Sequence, residues 1–157
     1  MMLRCLLLAI ACLAPALTQA DDIVFERVIG PESPGKYKHP ATIEELANGD
    51  LYIAYYGGDG EYADQTAVYG MRKKKGEENW SKPEIIADTP FYSDGNGVVW
   101  QAPDGLVWLF YVCRFGDTWS TSRIKAKISR DGAHTWTFWR QALPEVLSFV
   151  SQGFHQY

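Results

Sequence analysis

Three carboxyl groups fall within the stretch Gly57-Gly58-Asp59-Gly60-Glu61-Tyr62-Ala63-Asp64. Acids crowded on one loop can raise each other's pKa and poise one carboxyl as a proton donor. Asp59, Glu61 and Asp64 are therefore candidates for general acid or base work, with Asp59 and Glu61 leading because they follow the glycine pair. A solvated acidic loop is the competing reading. Arg114 ends the apolar run 107–113 and offers a planar fork that suits a carboxylate. Arg123 follows a polar loop, and Arg72 opens the basic run Arg72-Lys73-Lys74-Lys75, which reads equally as a solvated patch. Lys38 and His39 are further candidates for an anion contact, and read equally as a solvated or packed pair. Cys113 lies in the apolar run and reads as a buried structural thiol. No Cys or His cluster has metal-ligand spacing, so neither metal nor cofactor is expected.

The elements that must position these groups are strands. Helical periodicity is absent beyond residue 20. Short aromatic and β-branched runs alternate with Gly, Pro and Asp. Asn48-Gly49-Asp50-Leu51-Tyr52-Ile53 and Asp104-Gly105-Leu106-Val107-Trp108-Leu109 are offset by 56 residues, and so are Trp80 and Trp136. A shared offset in separate segments marks a duplicated unit. Each unit reads as four strands: 42–46, 51–56, 66–72 and 83–87, then 97–101, 106–112, 123–129 and 137–142. Asn48-Gly49 and Asp104-Gly105 suit tight hairpins, where positive φ is needed. Four antiparallel strands per repeat make a propeller blade. The fold class is all-β, with about two four-stranded blades of a β-propeller and an incomplete ring.

Residues 1–20 read as a signal peptide, with Arg4 before an apolar stretch and small residues before a cut after Ala20. The expectation is a secreted or periplasmic protein. A lipid anchor at Cys12 is the weaker alternative, and the apolar run is too short to span a bilayer. Cleavage would leave 137 residues, with Cys113 as the one remaining cysteine and a net charge of 14 minus 19, or -5. No internal disulfide could then form. The acidic balance argues against a nucleic-acid partner. The organisation expected is a leader at 1–20, an N-terminal extension at 21–35, blades at 36–90 and 91–147, and an irregular tail at 148–157.

Before the second repeated tryptophan stands Ser129-Arg130-Asp131-Gly132-Ala133-His134-Thr135-Trp136. This resembles the Asp-box, Ser-x-Asp-x-Gly-x-Thr-Trp, of the sialidase (neuraminidase) and BNR-repeat superfamily. Ser129, Asp131, Thr135 and Trp136 match, and Ala133 stands where that family usually has Gly. The first repeat carries an eroded copy ending in Trp80. Such a box is structural: its Asp accepts backbone amides of its own turn, and its Trp buries a ring. The pattern over residues 36–142 is similar to that of secreted bacterial exo-sialidase-like proteins, which implies a six-bladed ring.

The resemblance implies retaining hydrolysis of a terminal sialic acid. In that family three arginines hold the sugar carboxylate, a Tyr paired with a Glu is the nucleophile, and an Asp on an early loop is the acid/base. Carried onto this sequence, the acid/base falls to the loop bearing Asp59, Glu61 and Asp64. Lys38 stands where the first arginine usually sits, keeping charge without the fork, and His39 follows it. Arg72, Arg114 and Arg123 are further candidates for a glycan or acidic-sugar partner. Trp119, in a polar loop, could stack on a sugar ring, whereas Trp100 and Trp108 read as blade packing. The blades that carry the nucleophile are not represented, so hydrolysis by this chain alone is not expected. Six blades at the observed period need about 340 residues. The alternative is a noncatalytic carbohydrate-binding or scaffold unit that assembles with other blades, with self-association through unpaired blade faces.

Overall fold

The computed structural model describes residues 23–138. The expected leader with Cys12, the end of the eighth strand and the expected tail lie outside these residues. Eight strands form two antiparallel meanders. The first sheet contains β1 (Tyr37–Glu45), β2 (Leu51–Gly58), β3 (Ala67–Lys73) and β4 (Glu84–Ala87). The second contains β5 (Ser93–Gln101), β6 (Val107–Arg114), β7 (Ser122–Ser129) and β8 (Thr137–Phe138). A 3-10 turn, Trp119–Thr121, is the one helical element among the described residues. The described residues are thus all-β, in two four-stranded blades that do not close into a ring.

The hairpins form where the sequence supplies left-handed residues. Gly49 has φ 85 and Gly105 has φ 88, conformations that cost glycine little. Two strands start earlier than their residues suggest. β1 begins at Tyr37 rather than at residue 42, because Pro40 falls in a register shift between His39 and Ala41 on an edge strand. Proline has no amide to donate, and a bulge on an edge tolerates that. β5 begins at Ser93 rather than at residue 97, with a register shift between Gly95 and Val98 and Asn96 at φ 50. Gly57 and Gly58 extend β2 rather than opening the loop.

The core lies between the sheets. Tyr52, Ala54, Tyr56 and Val68 of the first sheet pack against Val99, Val107, Leu109 and Tyr111 of the second. Burying Val107 and Leu109 contributes about 2 kcal/mol each. Polar contacts cross the same seam. Thr42 Oγ1 donates to the Gly97 carbonyl at 2.9 Å, the Asp94 amide to the Thr66 carbonyl at 2.8 Å, and the Gln101 amide to Glu44 Oε1 at 3.1 Å. β5 runs close to the first sheet at Gly97: a Cβ there would lie 2.7 Å from Val68 Cγ1.

The far face of the second sheet has no cover within the described residues. Strand register places Trp100 beside Trp108, Val98 beside Phe110, and Val112 beside Ile124. Trp108 and Phe110 stack at 5.6 Å, and Ile124 is 78% exposed. By the 56-residue offset, Trp108, Phe110 and Ile124 correspond to Tyr52, Ala54 and Val68, which receive the second sheet.

Candidate functional site

An antiparallel meander sends alternate connections to opposite ends. One end carries the β1–β2, β3–β4, β5–β6 and β7–β8 turns. The other carries the starts of β1 and β5, the loop 59–66, the link 88–92 and the loop 115–121.

The first end is structural. Asp131 Oδ1 accepts from Ser129 Oγ at 2.6 Å, from the Thr135 amide at 2.8 Å and from the His134 amide at 3.1 Å, while Oδ2 accepts from Thr135 Oγ1 at 2.6 Å. Ser129 Oγ accepts the Ala133 amide at 2.8 Å. The Ser129 and Thr135 hydroxyls, with those amides, hold the Asp131 carboxyl well below the usual carboxylate range. Ala133 has φ 67, which accounts for glycine being usual there. Trp136 packs against the core with its ring 6.1 Å from that of Tyr52 on the other sheet. Trp80 is half-buried at the end of the eroded box.

Arg72 belongs to this end. It pairs in register with Tyr52, six residues or roughly 20 Å along β2 from Gly58. Its Nη1 donates to Asp50 Oδ2 at 2.9 Å and its Nη2 to the Gly132 carbonyl, and its guanidinium lies over the Tyr52 ring. Arg72 thus ties the first sheet to the box of the second and does not join the groups gathered at the opposite end.

The opposite end gathers the chemistry. Arg114, 2% exposed, closes β6 opposite Ser93. Its Nη2 lies 3.4 Å from Glu61 Oε1, and its Nη1 donates to Ser93 Oγ at 3.2 Å. Ser93 Oγ in turn donates to the Glu61 carbonyl at 2.6 Å. The guanidinium lies 4.2 Å from the centroid of Trp119 and 5.4 Å from that of Tyr62, with Tyr56 at 5.5 Å. His39 Nδ1 is 3.4 Å from the Tyr56 hydroxyl, and Tyr37 packs on both rings. Burial, with Glu61 close by, pushes the Tyr56 phenol up to about 12, so at neutral pH it is a hydrogen-bond donor and not a phenolate.

Of the three loop acids, Glu61 alone is tied to Arg114 and half-buried, while Asp59 and Asp64 are exposed. Lys38 falls on the other side of β1 from His39, because alternate residues of a strand face opposite ways. Arg123 is exposed and donates to its neighbour's carbonyl, that of Ser122, at 2.8 Å. Trp119 sits in the 3-10 turn and is 46% exposed. The residues that sequence reasoning did not single out are Tyr56, Tyr62 and Ser93. Cys113 is buried and free, and burial pushes its thiol up, which makes it inert. Among the described residues no cluster of His, Cys, Asp or Glu could hold a metal ion.

Two four-stranded blades, the second carrying an Asp-box, define a propeller-type chain. Residues 49–157 match the family model described as a BNR repeat-like domain. The chain belongs to that family, within the sialidase and BNR-repeat superfamily. No curated protein matches it in sequence. Among solved structures it is similar to the Hadza microbial sialidase Hz136, at 13% identity and a TM-score of 0.55, over 66% of this chain and 25% of that one. It is also similar to a protein of unknown function from Dyadobacter fermentans DSM 18053, at 15% identity and a TM-score of 0.51, over 62% of this chain and 34% of that one. The chain thus spans about a quarter and about a third of these two. No helix among the described residues is long and apolar enough to cross a membrane.

Proposed function

We propose that the chain is the N-terminal part of a secreted or periplasmic sialidase-like glycoside hydrolase, whose substrates are glycans ending in sialic acid or another acidic sugar. On this reading the two blades bind the glycan at the Glu61 end and do not hydrolyse it alone. The observation that carries the reading is the Glu61–Arg114–Ser93 cluster walled by Trp119, Tyr62 and Tyr56. A buried guanidinium among three aromatic rings fixes one partly exposed carboxylate. That carboxylate can accept sugar hydroxyls or, in a completed ring, serve the acid/base step. Arg114 acts as a positioning residue, and His39 and Arg123 provide donors for an anionic group.

The test pairs a fluorogenic sialoside with saturation-transfer NMR on a methyl sialoside. The reading expects saturation transfer from the protein and no turnover above blank. Turnover that disappears in Glu61→Gln would overturn the claim that the chain alone is inactive. Absence of any saturation transfer would overturn the binding claim.

The uncovered face of the second sheet favours a second reading, a noncatalytic unit that assembles with further blades. Its apolar rows, Trp100–Trp108 and Val98–Phe110, are in the positions that receive a blade in the first repeat. Sedimentation across a concentration series distinguishes it: ordered association with sugar affinity supports assembly, and a monomer at every concentration opposes it.

A further inference from the structure

Beside the Glu61 cluster lies a second aromatic group that neither the acid/base reading nor blade packing uses. Phe91 stands in the link between the sheets with φ 66 and 86% of its surface exposed. A bulky residue in the left-handed region is strained, and a phenyl ring left in water recovers nothing by packing. Glycine would remove both costs. Tyr92 follows it, 38% exposed, with its ring centroid 4.6 Å from that of Phe115, itself 44% exposed. The Lys125 ammonium sits 5.5 Å from the Phe115 ring and is held there by Thr89 Oγ1 at 3.0 Å.

These rings adjoin the site along two strands at once. Tyr92 precedes Ser93, whose hydroxyl binds Glu61 and Arg114, and Phe115 follows Arg114. Ser93 and Arg114 are register partners, so both extensions leave the site at the same end of the sheet. A ligand seated at Glu61 and continuing over that edge meets Tyr92 and Phe115; Phe91, next to Tyr92 in the chain, is the most exposed of the three rings.

We propose that Phe91, Tyr92 and Phe115 form a platform for a neutral pyranose, the sugar next to the acidic one at Glu61. The proposal rests on the glycan-binding reading above. The class of ligand follows from the chemistry. A pyranose presents an apolar C–H face that matches exposed rings, and equatorial hydroxyls that the Lys125 ammonium can reach at the margin. The Lys125 ammonium at this margin disfavours a cationic ligand.

The experiment compares methyl α-sialoside with 3′-sialyllactose by calorimetric titration against the intact chain, Phe91→Gly and Phe115→Ala, with melting temperatures recorded for all three. The platform predicts that the trisaccharide binds the parent chain about tenfold more tightly than the monosaccharide. That gap shrinks to about threefold or less in each variant. It further predicts that Phe91→Gly melts about 3 °C higher than the parent, because the left-handed strain is relieved while affinity is lost. Equal affinities for the two sugars in the parent chain, or a tenfold gap that survives both variants, would overturn the platform while leaving the Glu61 site standing. A lower melting point for Phe91→Gly would show a packing role for Phe91 and would also overturn it. If the parent chain binds neither sugar, the glycan reading falls and the platform falls with it.

Discussion

Asp50 accepts the Lys75 amide at 2.9 Å, and this contact does for the first sheet what Asp131 does for the second. By the 56-residue offset, Lys75 occupies the position of Asp131, so the eroded box has lost its own carboxylate. Asp50 replaces it from the neighbouring hairpin. Its Oδ1 takes the turn amide, while its Oδ2 takes Arg72 Nη1 at 2.9 Å and Asn48 Nδ2 at 3.0 Å. Arg72 then reaches the Gly132 carbonyl of the intact box, which couples the two turns.

Asp50→Ala is therefore expected to cost about 3 kcal/mol, because it strands the Arg72 charge in a site where the two side chains are 9% and 11% exposed. Asp131→Ala, on an exposed turn, is expected to cost about 1–2 kcal/mol, as loss of a helix cap does. Urea titrations of both variants check the order. An Asp131→Ala loss larger than that of Asp50→Ala would contradict it.

The pH dependence has two opposing sources. The Lys75 amide, with help from Arg72 and Asn48, holds Asp50 below its ordinary value, and the Ser129 and Thr135 bonds do the same to Asp131. Their contribution is complete above the unfolded carboxyl value near 4 and is lost as the pH falls through the lower folded values. Asp94 runs the other way. It is fully buried, and burial pushes its pKa up against the Thr89 and Cys113 bonds and the Lys125 charge, which favour the ionised form. Stability from the protonated form is complete below the unfolded value and is lost as the pH rises through the folded one. Asp94→Asn is expected to be more stable than the parent at pH 7.5, by roughly 1 kcal/mol, and to match it near pH 3. Melting curves at the two pH values check this. A variant less stable at pH 7.5 would show that the ionised form is the one the fold uses.

The seam between the sheets depends on the missing side chain at Gly97. A Cβ there would meet Val68 Cγ1 at 2.7 Å, so Gly97→Val must push β5 away from the first sheet. The expected loss is about 1–3 kcal/mol, with Trp136 and Tyr52 emission shifted as their contact loosens. A neutral effect on the denaturation midpoint would mean that the seam is looser than its contacts imply.

The strands were legible because alternation and hairpin glycines are local signals. The two bulges were not. Pro40 breaks the period of β1, and Ser93-Asp94-Gly95-Asn96-Gly97 has the composition of a turn while its chain runs on as β5. The loop acids were legible as a group, but the choice among them was not. What distinguishes Glu61 is a guanidinium 53 residues away, brought to it by β6. The placement of Arg72 was hidden for the same reason. It opens a basic run, and its burial depends on Asp50 and on Gly132 from the other sheet. Ser93 and Tyr56 carry no local mark of function, since a serine and a tyrosine in a strand are ordinary until their neighbours are known.

The central claim is that the two blades bind an acidic sugar through Glu61 and not through Asp59 or Asp64. The most direct measurement is a calorimetric titration of methyl α-sialoside into the parent chain, Glu61→Gln, Asp59→Asn and Asp64→Asn at neutral pH. A hydrogen bond to a charged group is worth about 1.5–3 kcal/mol, so Glu61→Gln should weaken binding at least tenfold. Asp59→Asn and Asp64→Asn, which alter exposed loop charges, should stay within about twofold of the parent. Loss of affinity in Asp59→Asn or Asp64→Asn with Glu61→Gln unaffected would contradict the account.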